Sequence, residues 1–427
     1  MMMLYSQDVS KCSIVRELEQ LPEQERLMLE KSIALICEDS GVDFSPALSV
    51  VKNHNDLPEL RKIAKRFQRD FTDVVILGTG GSSLGGKSLC ALTENKSRKP
   101  NLHFVDNVDP VTFSNLFEIL CPKNTGLIVI SKSGDTSETL AQINLFIQWF
   151  QAKLTSSQIN TRVIIITQQR ASILRQIAIE SNFTILDHDS NIGGRFSVFS
   201  LVGILPALIA GLDVVKFREG AAITLRHTKE KRVESEPAKG AILKATADKH
   251  EKFSVNVLVL YSDQLFWFGQ WYRQLWAESI GKCGHGMIPV PFMGTVDQHS
   301  QLQLHLDGPS DKLFSILMHD CKDTGMSINA SATNNIDLGS LEERTLGELL
   351  NASQCGTVDA LIDAGRPVRI LKINDLNERT LGSIMMHFML ETIITAHLLG
   401  IDPFDQPAVE KGKIRTRQYL SKLKVQC

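Results

Sequence analysis

The stretch Asp73–Leu92, DVVILGTGGSSLGGKSLCAL, decides the fold. A short run of β-branched and aliphatic residues, Val74–Leu77, gives way at Gly78 to a glycine- and serine-rich turn through Gly86, then to residues of helical character, Lys87–Leu92. That is a strand, a glycine turn and a helix start. Glycines let a backbone approach a ligand closely, and the amides at a helix start attract an anion. Glycine turns after strands also arise for purely steric reasons, so the stretch alone leaves both readings open.

Outward from it the unit repeats. Leu102–Asp106 reads as a strand, Leu127–Ser131 as another, and the second runs into SKSGDTSETLAQINLFIQWF, Ser131–Phe150. Strands near Val163–Thr167 and Thr184–Leu186 follow with helices between, an order that predicts a doubly wound parallel sheet with ligands at the carboxyl ends of its strands. A second half begins at Ser254–Tyr261, and strands Ile288–Phe292, Phe314–His319 and Val368–Ile373 alternate with helices Thr345–Ala364 and Arg379–Leu399. The fold class is α/β: two doubly wound, flavodoxin-like parallel-sheet domains with helical extensions at both termini. The expected divisions are a helical segment 1–70 (helices Val15–Glu38 and Asp56–Asp70), a first α/β domain 71–225, a charged connecting segment 226–253, a second α/β domain 254–400 and a C-terminal helix within 401–427. The mixed charges of Arg226–Lys252 read as a solvated helical surface.

With 427 residues, 43% hydrophobic and 22% charged, the chain is large enough for two cores and ordinary in composition. A formal net charge of −2 offers no basic field for nucleic acid. Cysteines at 12, 37, 90, 121, 283, 321, 355 and 427 form no C-x-x-C pair and read as reduced thiols of a cytoplasmic protein. The start, MMMLYSQDVSKC, is a poor secretory signal, and the apolar run Phe196–Leu212 contains Pro206, two serines and two glycines, so it reads as a buried core helix and not a membrane span.

Chemistry concentrates in a few places. Ser131, Ser133, Thr136, Ser137 and Thr139 crowd hydroxyls into one turn, with Gly134 freeing the backbone. Helix capping accounts for one or two of them; the set favours a cradle for a phosphate dianion. In Trp271–Pro309, Gln274 and Glu278 lie four apart beside Trp271, Leu275 and Trp276, so amide and carboxylate share a face and the carboxylate is expected to be shielded from bulk water. Asp297, Gln298 and His299 follow the strand Ile288–Phe292, a position suited to a catalytic group. Arg195 opens a nearly continuous apolar run, as a structural clamp or facing a ligand. Pro407 suits a first helical turn, which would align Gln406, Glu410 and Lys413 on one face. Glu391, alone among apolar residues, reads first as a paired buried carboxylate; His305, His387 and His397 read as core or surface, and no spacing suggests a metal site.

These segments resemble the phosphoglucose isomerase family. Gln274, Glu278, Ser279, Gly281 and Lys282 fit its Gln-x-x-x-Glu-Ser-x-Gly-Lys segment, and Gln298-His299 its Gln-His pair. Gly193-Gly194-Arg195-Phe196-Ser197 fits G-G-R-[FY]-S, and Phe404, Asp405, Gln406, Val409, Glu410 and Lys413 fit F-D-Q-x-G-V-E-x-x-K. The turn from Ser131 is similar to the SKS-G-x-T-x-E-T loop of sugar-isomerase (SIS) domains, which makes both expected domains SIS-type. The resemblance runs from about Asp73 to Lys413, with Thr79 in place of the usual isoleucine and Pro407-Ala408 where many members carry a glycine.

The resemblance implies interconversion of D-glucose 6-phosphate and D-fructose 6-phosphate through a cis-enediol, without a cofactor or metal. It implies Glu278 as the base, His299 and Lys413 in ring opening, and Arg195 against the enediolate. Gly81, Ser82, Ser131, Lys132, Ser133 and Thr136 would hold the phosphate, and Gln274 and Gln406 the sugar. It further implies a homodimer with shared active sites, the histidine coming from the partner, and neither nucleic acid nor membrane as partner. A non-catalytic phosphosugar sensor would keep the serine loop without needing Glu278, His299 and Lys413 together. A glutamine-dependent aminotransferase would need an ammonia-producing domain with an N-terminal cysteine, and no such domain precedes the first sheet.

Overall fold

The computed structural model describes residues 3–12, 14, 20–37, 46–93, 100–250, 252–333 and 336–423. Two five-stranded sheets carry the fold. The first contains β2 (Asp73–Leu77), β3 (Asn101–Val105), β4 (Thr125–Ile130), β5 (Val163–Gln168) and β6 (Thr184–His188), all parallel, in the order β3-β2-β4-β5-β6. The second contains β7 (Val255–Leu260), β8 (Ile288–Met293), β9 (Lys312–His319) and β10 (Val368–Ile373), parallel in the order β8-β7-β9-β10. Both sheets therefore start in the middle, step once to one side and then wind to the other. That is the doubly wound flavodoxin-like order, which puts a crevice beside the first strand of each sheet.

Alternation along the strands assigns the cores. In β2, Val74 and Ile76 join one large apolar core while Val75 and Leu77 join a second on the opposite face. In the other sheet Leu258 and Leu260 of β7 reach that same large core, and Val257 and Val259 a third. The two sheets thus share one interior. At its centre runs the helix Glu378–Leu398, packed against Val214–Lys231, Glu236–Lys249, Phe266–Ile280 and Glu23–Cys37. This helix is long and apolar enough to cross a membrane by composition, but 94% of its apolar window is buried inside the fold.

Four expectations need correction. Residues 5–8 are a strand, β1 (Tyr5–Asp8), antiparallel to β10, so the N-terminal segment is not wholly helical and the second sheet is mixed. YSQD lacks an apolar run, and its place is set by the free edge of β10. The expected helix Val15–Glu38 is Glu23–Cys37, with 15–19 and 38 outside the described residues. The segment Arg226–Lys252 is a solvated surface only in part: Arg226, Glu230, Lys231, Arg232 and Glu234 are exposed, but Glu236–Lys249 buries Ala238, Ala241, Leu243, Ala245 and even Lys244, because its small side chains let it pack closely on the central helix. The run Phe196–Leu212 is buried as expected, but as a 3-10 turn Gly194–Phe199 followed by a helix Leu201–Ile209.

Candidate active site

Arg195 is the hub. It lies in the turn Gly194–Phe199 and is 2% exposed, yet every nitrogen of its guanidinium has a partner. Nε donates to Ser279 Oγ at 2.8 Å, Nη1 to Gln406 Oε1 at 2.7 Å and to Glu278 Oε2 at 3.2 Å, and Nη2 to the carbonyls of Pro403 at 2.6 Å and Asp405 at 3.0 Å. Burial lowers its pKa, opposed by the charges of Glu278, Asp405 and Asp402.

Glu278 and Gln274 lie on the helix Phe266–Ile280, and Gln274 Nε2 donates to Glu278 Oε1 at 3.0 Å. One carboxylate oxygen thus faces an amide and the other a guanidinium. The shielding expected from Leu275 and Trp276 is not found at the carboxylate: those two are fully buried in the core, while the Glu278 side chain keeps 31% of its surface open. Gln274 Oε1 is buried without a hydrogen-bond partner among the described residues.

The glycine turn meets this cluster directly. A Cβ at Gly81 would lie 2.2 Å from the carbonyl carbon of Gly194, so only glycine lets the first loop press on the turn that carries Arg195. Ser197 Oγ donates to the Gly81 carbonyl at 3.3 Å, and Ser82 is half-buried beside it. Gly81 therefore has a packing role of its own.

The serine loop follows β4. Thr136 sits at the N-cap of the helix Ser137–Gln151, but its side chain makes no capping bond. Its hydroxyl lies instead 3.0 Å from Ser131 Oγ and 3.4 Å from Ser133 Oγ. The capping explanation thus fails for Thr136, and the helix start keeps amides that its hydroxyl does not satisfy. Gly134 has φ +71°, and a Cβ there would strike Ser172 Oγ at 2.1 Å. The Lys132 ammonium is half-buried; burial lowers its pKa, Asp189 opposes that and Arg195 adds to it.

Lys413 lies on the exposed helix Val409–Leu423, where it bonds Glu410 Oε1 at 2.7 Å. That hydrogen bond holds the Glu410 carboxyl below its ordinary pKa. Pro407 does not open this helix, which begins two residues later, so Gln406 is not on one face with Glu410 and Lys413; it turns back to Arg195. A cavity of about 640 Å³ separates this helix from the serine loop, with Thr79, Ser133, Thr136 and Lys413 in its wall.

Sequence reasoning missed Arg170, Glu138, Thr416 and Arg417, which also face this cavity. Arg170 was within reach, since it follows the carboxyl end of β5, and its Nη2 donates to the Ser133 carbonyl at 3.0 Å.

His299, like Lys413, bonds to no member of the Arg195–Glu278 cluster. It ends the short turn Val296–His299 beyond β8, is exposed, and its ring has no hydrogen-bond partner among the described residues. Its neighbour Gln298 is anchored, donating to Tyr261 OH at 2.7 Å and to the Thr357 hydroxyl.

The sequence model described as "Phosphoglucose isomerase" matches residues 62–426. The chain belongs to the phosphoglucose isomerase family. A glucose-6-phosphate isomerase of Rubrobacter xylanophilus is 35% identical over 360 residues, 82% of this chain and 83% of the relative. One from Thermus thermophilus is 33% identical over 86% of this chain and 89% of its own. Among solved structures, a hypothetical protein of Thermus thermophilus superposes with a TM-score of 0.87 at 29% identity, covering 97% of this chain and 99% of that one. A glucose-6-phosphate isomerase of Chlamydia trachomatis gives 0.80 at 20% identity, covering 99% and 89%, a likeness of fold. Arg195, Glu278, Gln274 and Gln406 lie in one bonded cluster.

Proposed function

We propose that this protein is a glucose-6-phosphate isomerase, interconverting D-glucose 6-phosphate and D-fructose 6-phosphate through a cis-enediol. The observation that carries it is the Gln274–Glu278–Arg195–Gln406 cluster, which pairs an accessible carboxylate with a fixed cation. Moving a carbonyl between C1 and C2 requires one base to take a proton from carbon and return it to the neighbouring carbon. Glu278 is that base. Arg195 stabilises the enediolate oxygen, which gains most where water is excluded. Ser131, Ser133, Thr136 and Lys132, with Ser82 and the Gly81 amide, receive the phosphate. Gln274 and Gln406 orient the sugar. Lys413 closes over the ring oxygen from across the 640 Å³ cavity.

His299 opens the ring from a partner subunit in a cytoplasmic homodimer. Its exposure and unpartnered ring support this, as does the helix Val409–Leu423, which exposes Val409, Tyr419, Leu420 and Leu423. A coupled assay with fructose 6-phosphate, run beside mannose 6-phosphate, tests the activity; no turnover of fructose 6-phosphate overturns it. Mixing His299→Ala with Glu278→Gln chains should restore activity on subunit exchange, because some mixed dimers then hold one intact site; no recovery after verified exchange overturns the shared histidine.

A further inference from the structure

The segment 401–408 supplies Gln406 and two carbonyls to Arg195, yet it contains neither helix nor strand. Something outside it has to fix its shape. Lys282, two residues beyond the end of the helix that carries Glu278, does so with its ammonium. Nζ donates to the Asp405 carbonyl at 2.8 Å, to Asp405 Oδ1 at 2.6 Å and to the Asp402 carbonyl, so all three of its protons are spent on this one turn. The Asp405 carbonyl is shared, taking Lys282 from one side and Arg195 Nη2 from the other. The side chain of Lys282 is 12% exposed, whereas that of Asp405 keeps 53% of its surface open.

The lysine is itself held. The chain reverses after Ile280, with the His285 amide donating to the Lys282 carbonyl at 2.9 Å. Asp248, at the end of the helix Glu236–Lys249 and 4% exposed, then bonds the Gly286 amide at 2.8 Å and His285 Nδ1 at 2.7 Å. A continuous set of contacts runs from Asp248 through the 281–286 loop to Lys282, the 402–405 turn, Arg195 and Glu278.

We propose that Lys282 is a positioning residue, backed by Asp248, that clamps the Asp402–Asp405 turn and thereby aims the Arg195 guanidinium at Glu278 and the substrate. The proposal rests on the reading of Glu278 and Arg195 as the reacting centre. A misplaced guanidinium loses transition-state stabilisation while phosphate binding, made by other loops, persists.

The test uses the full-length protein and the variants Lys282→Met, Lys282→Arg and Asp248→Asn. For Lys282→Met, kcat for fructose 6-phosphate should fall about 10- to 100-fold while KM moves less than about threefold. Lys282→Arg should recover part of the loss, and Asp248→Asn should show the same split at smaller size. In an Arg195→Ala background Lys282→Met should cost less than about threefold more, because a clamp on an absent arginine has nothing to aim. Equal fractional losses in both backgrounds, or an unchanged kcat, overturn the proposal. A readout independent of turnover is solvent exchange of the Arg195 Nε–H, followed by nitrogen-15 arginine labelling and assigned by its loss in Arg195→Ala. Lys282→Met should speed it at least about tenfold, equivalent to about 1.4 kcal/mol of restraint. Unchanged exchange in both Lys282→Met and Asp248→Asn overturns the clamp, whereas a parent protein without turnover but with accelerated exchange in the variants overturns only the isomerase reading. If Lys282→Met fails to fold, Lys282→Arg and Asp248→Asn carry the same two measurements.

Discussion

Arg195–Glu278 and Arg369–Glu391 pair the same two side chains in different surroundings. In the first, the arginine is buried and the carboxylate keeps 31% of its surface; in the second, both side chains are 0% exposed. Glu391 faces Arg369 and, at 3.1 Å, His387 Nε2, while His387 Nδ1 meets Tyr5 OH at 2.6 Å and Arg369 Nε donates to Gln7 Oε1 at 2.8 Å. The sealed pair therefore ties β1 and β10 to the central helix. Burial alone would raise the Glu391 carboxyl, but Arg369 and His387 hold it well below the ordinary range. Charge in the sealed cluster faces only protein, with Glu391 Oε1 and Arg369 Nη1 left without a hydrogen-bond partner among the described residues. Charge in the open one is arranged around a carboxylate that keeps part of its surface exposed.

One substitution on each side should separate the two roles. Glu278→Gln should lower turnover by about 10³ or more, since base catalysis alone contributes on the order of 10²–10⁴, while thermal unfolding and phosphosugar binding stay near those of the parent. Steady-state kinetics beside a melting curve checks this, and a folded variant with substantial turnover would dissolve the contrast. Glu391→Ala should do the reverse. Leaving Arg369 buried and unpaired costs about 3–5 kcal/mol of stability, read by denaturant unfolding, with turnover per folded molecule largely kept.

Lys244 sharpens the contrast through pH. It lies in the same interior, bonded to Asn256, and burial pushes its ammonium down to about 7, countered by Glu391. Between about pH 7 and the ordinary lysine pKa near 10.4, the unfolded chain holds a proton that the folded chain has released. Unfolding free energy should therefore rise with pH through that window, by about 1.4 kcal/mol per unit from this one group. Lys244→Met should flatten that rise, measured as the difference between parent and variant in denaturant unfolding from pH 7 to 10. An unchanged slope would mean that Lys244 stays charged in the interior.

Much of this was legible in the chain. The parallel strands of both sheets were readable because each is a short run with apolar residues ending in a glycine or polar turn, and Val368–Ile373 falls where the sequence puts it. Glu391 was readable as a paired carboxylate because an acid amid HFMLETIITAHLLG has no way to persist unpaired. The tyrosine-led strand β1 was not readable, since nothing in YSQD signals a partner more than 360 residues away. Nor was the burial of Glu236–Lys249: its charges suggest water, and only the packing reveals that its small residues face inward.

The sequence by itself determined the order of elements, the positions of the glycine and serine loops and the residue types available for chemistry, because these depend on local periodicity and turn preference. Only the tertiary structure decided that Arg195 meets Glu278 across 83 residues of chain and Gln406 across 211, or that Lys282 fastens the turn between them. Those contacts arise where two sheets and a shared core bring distant loops together, and no local preference encodes a distance between segments so far apart.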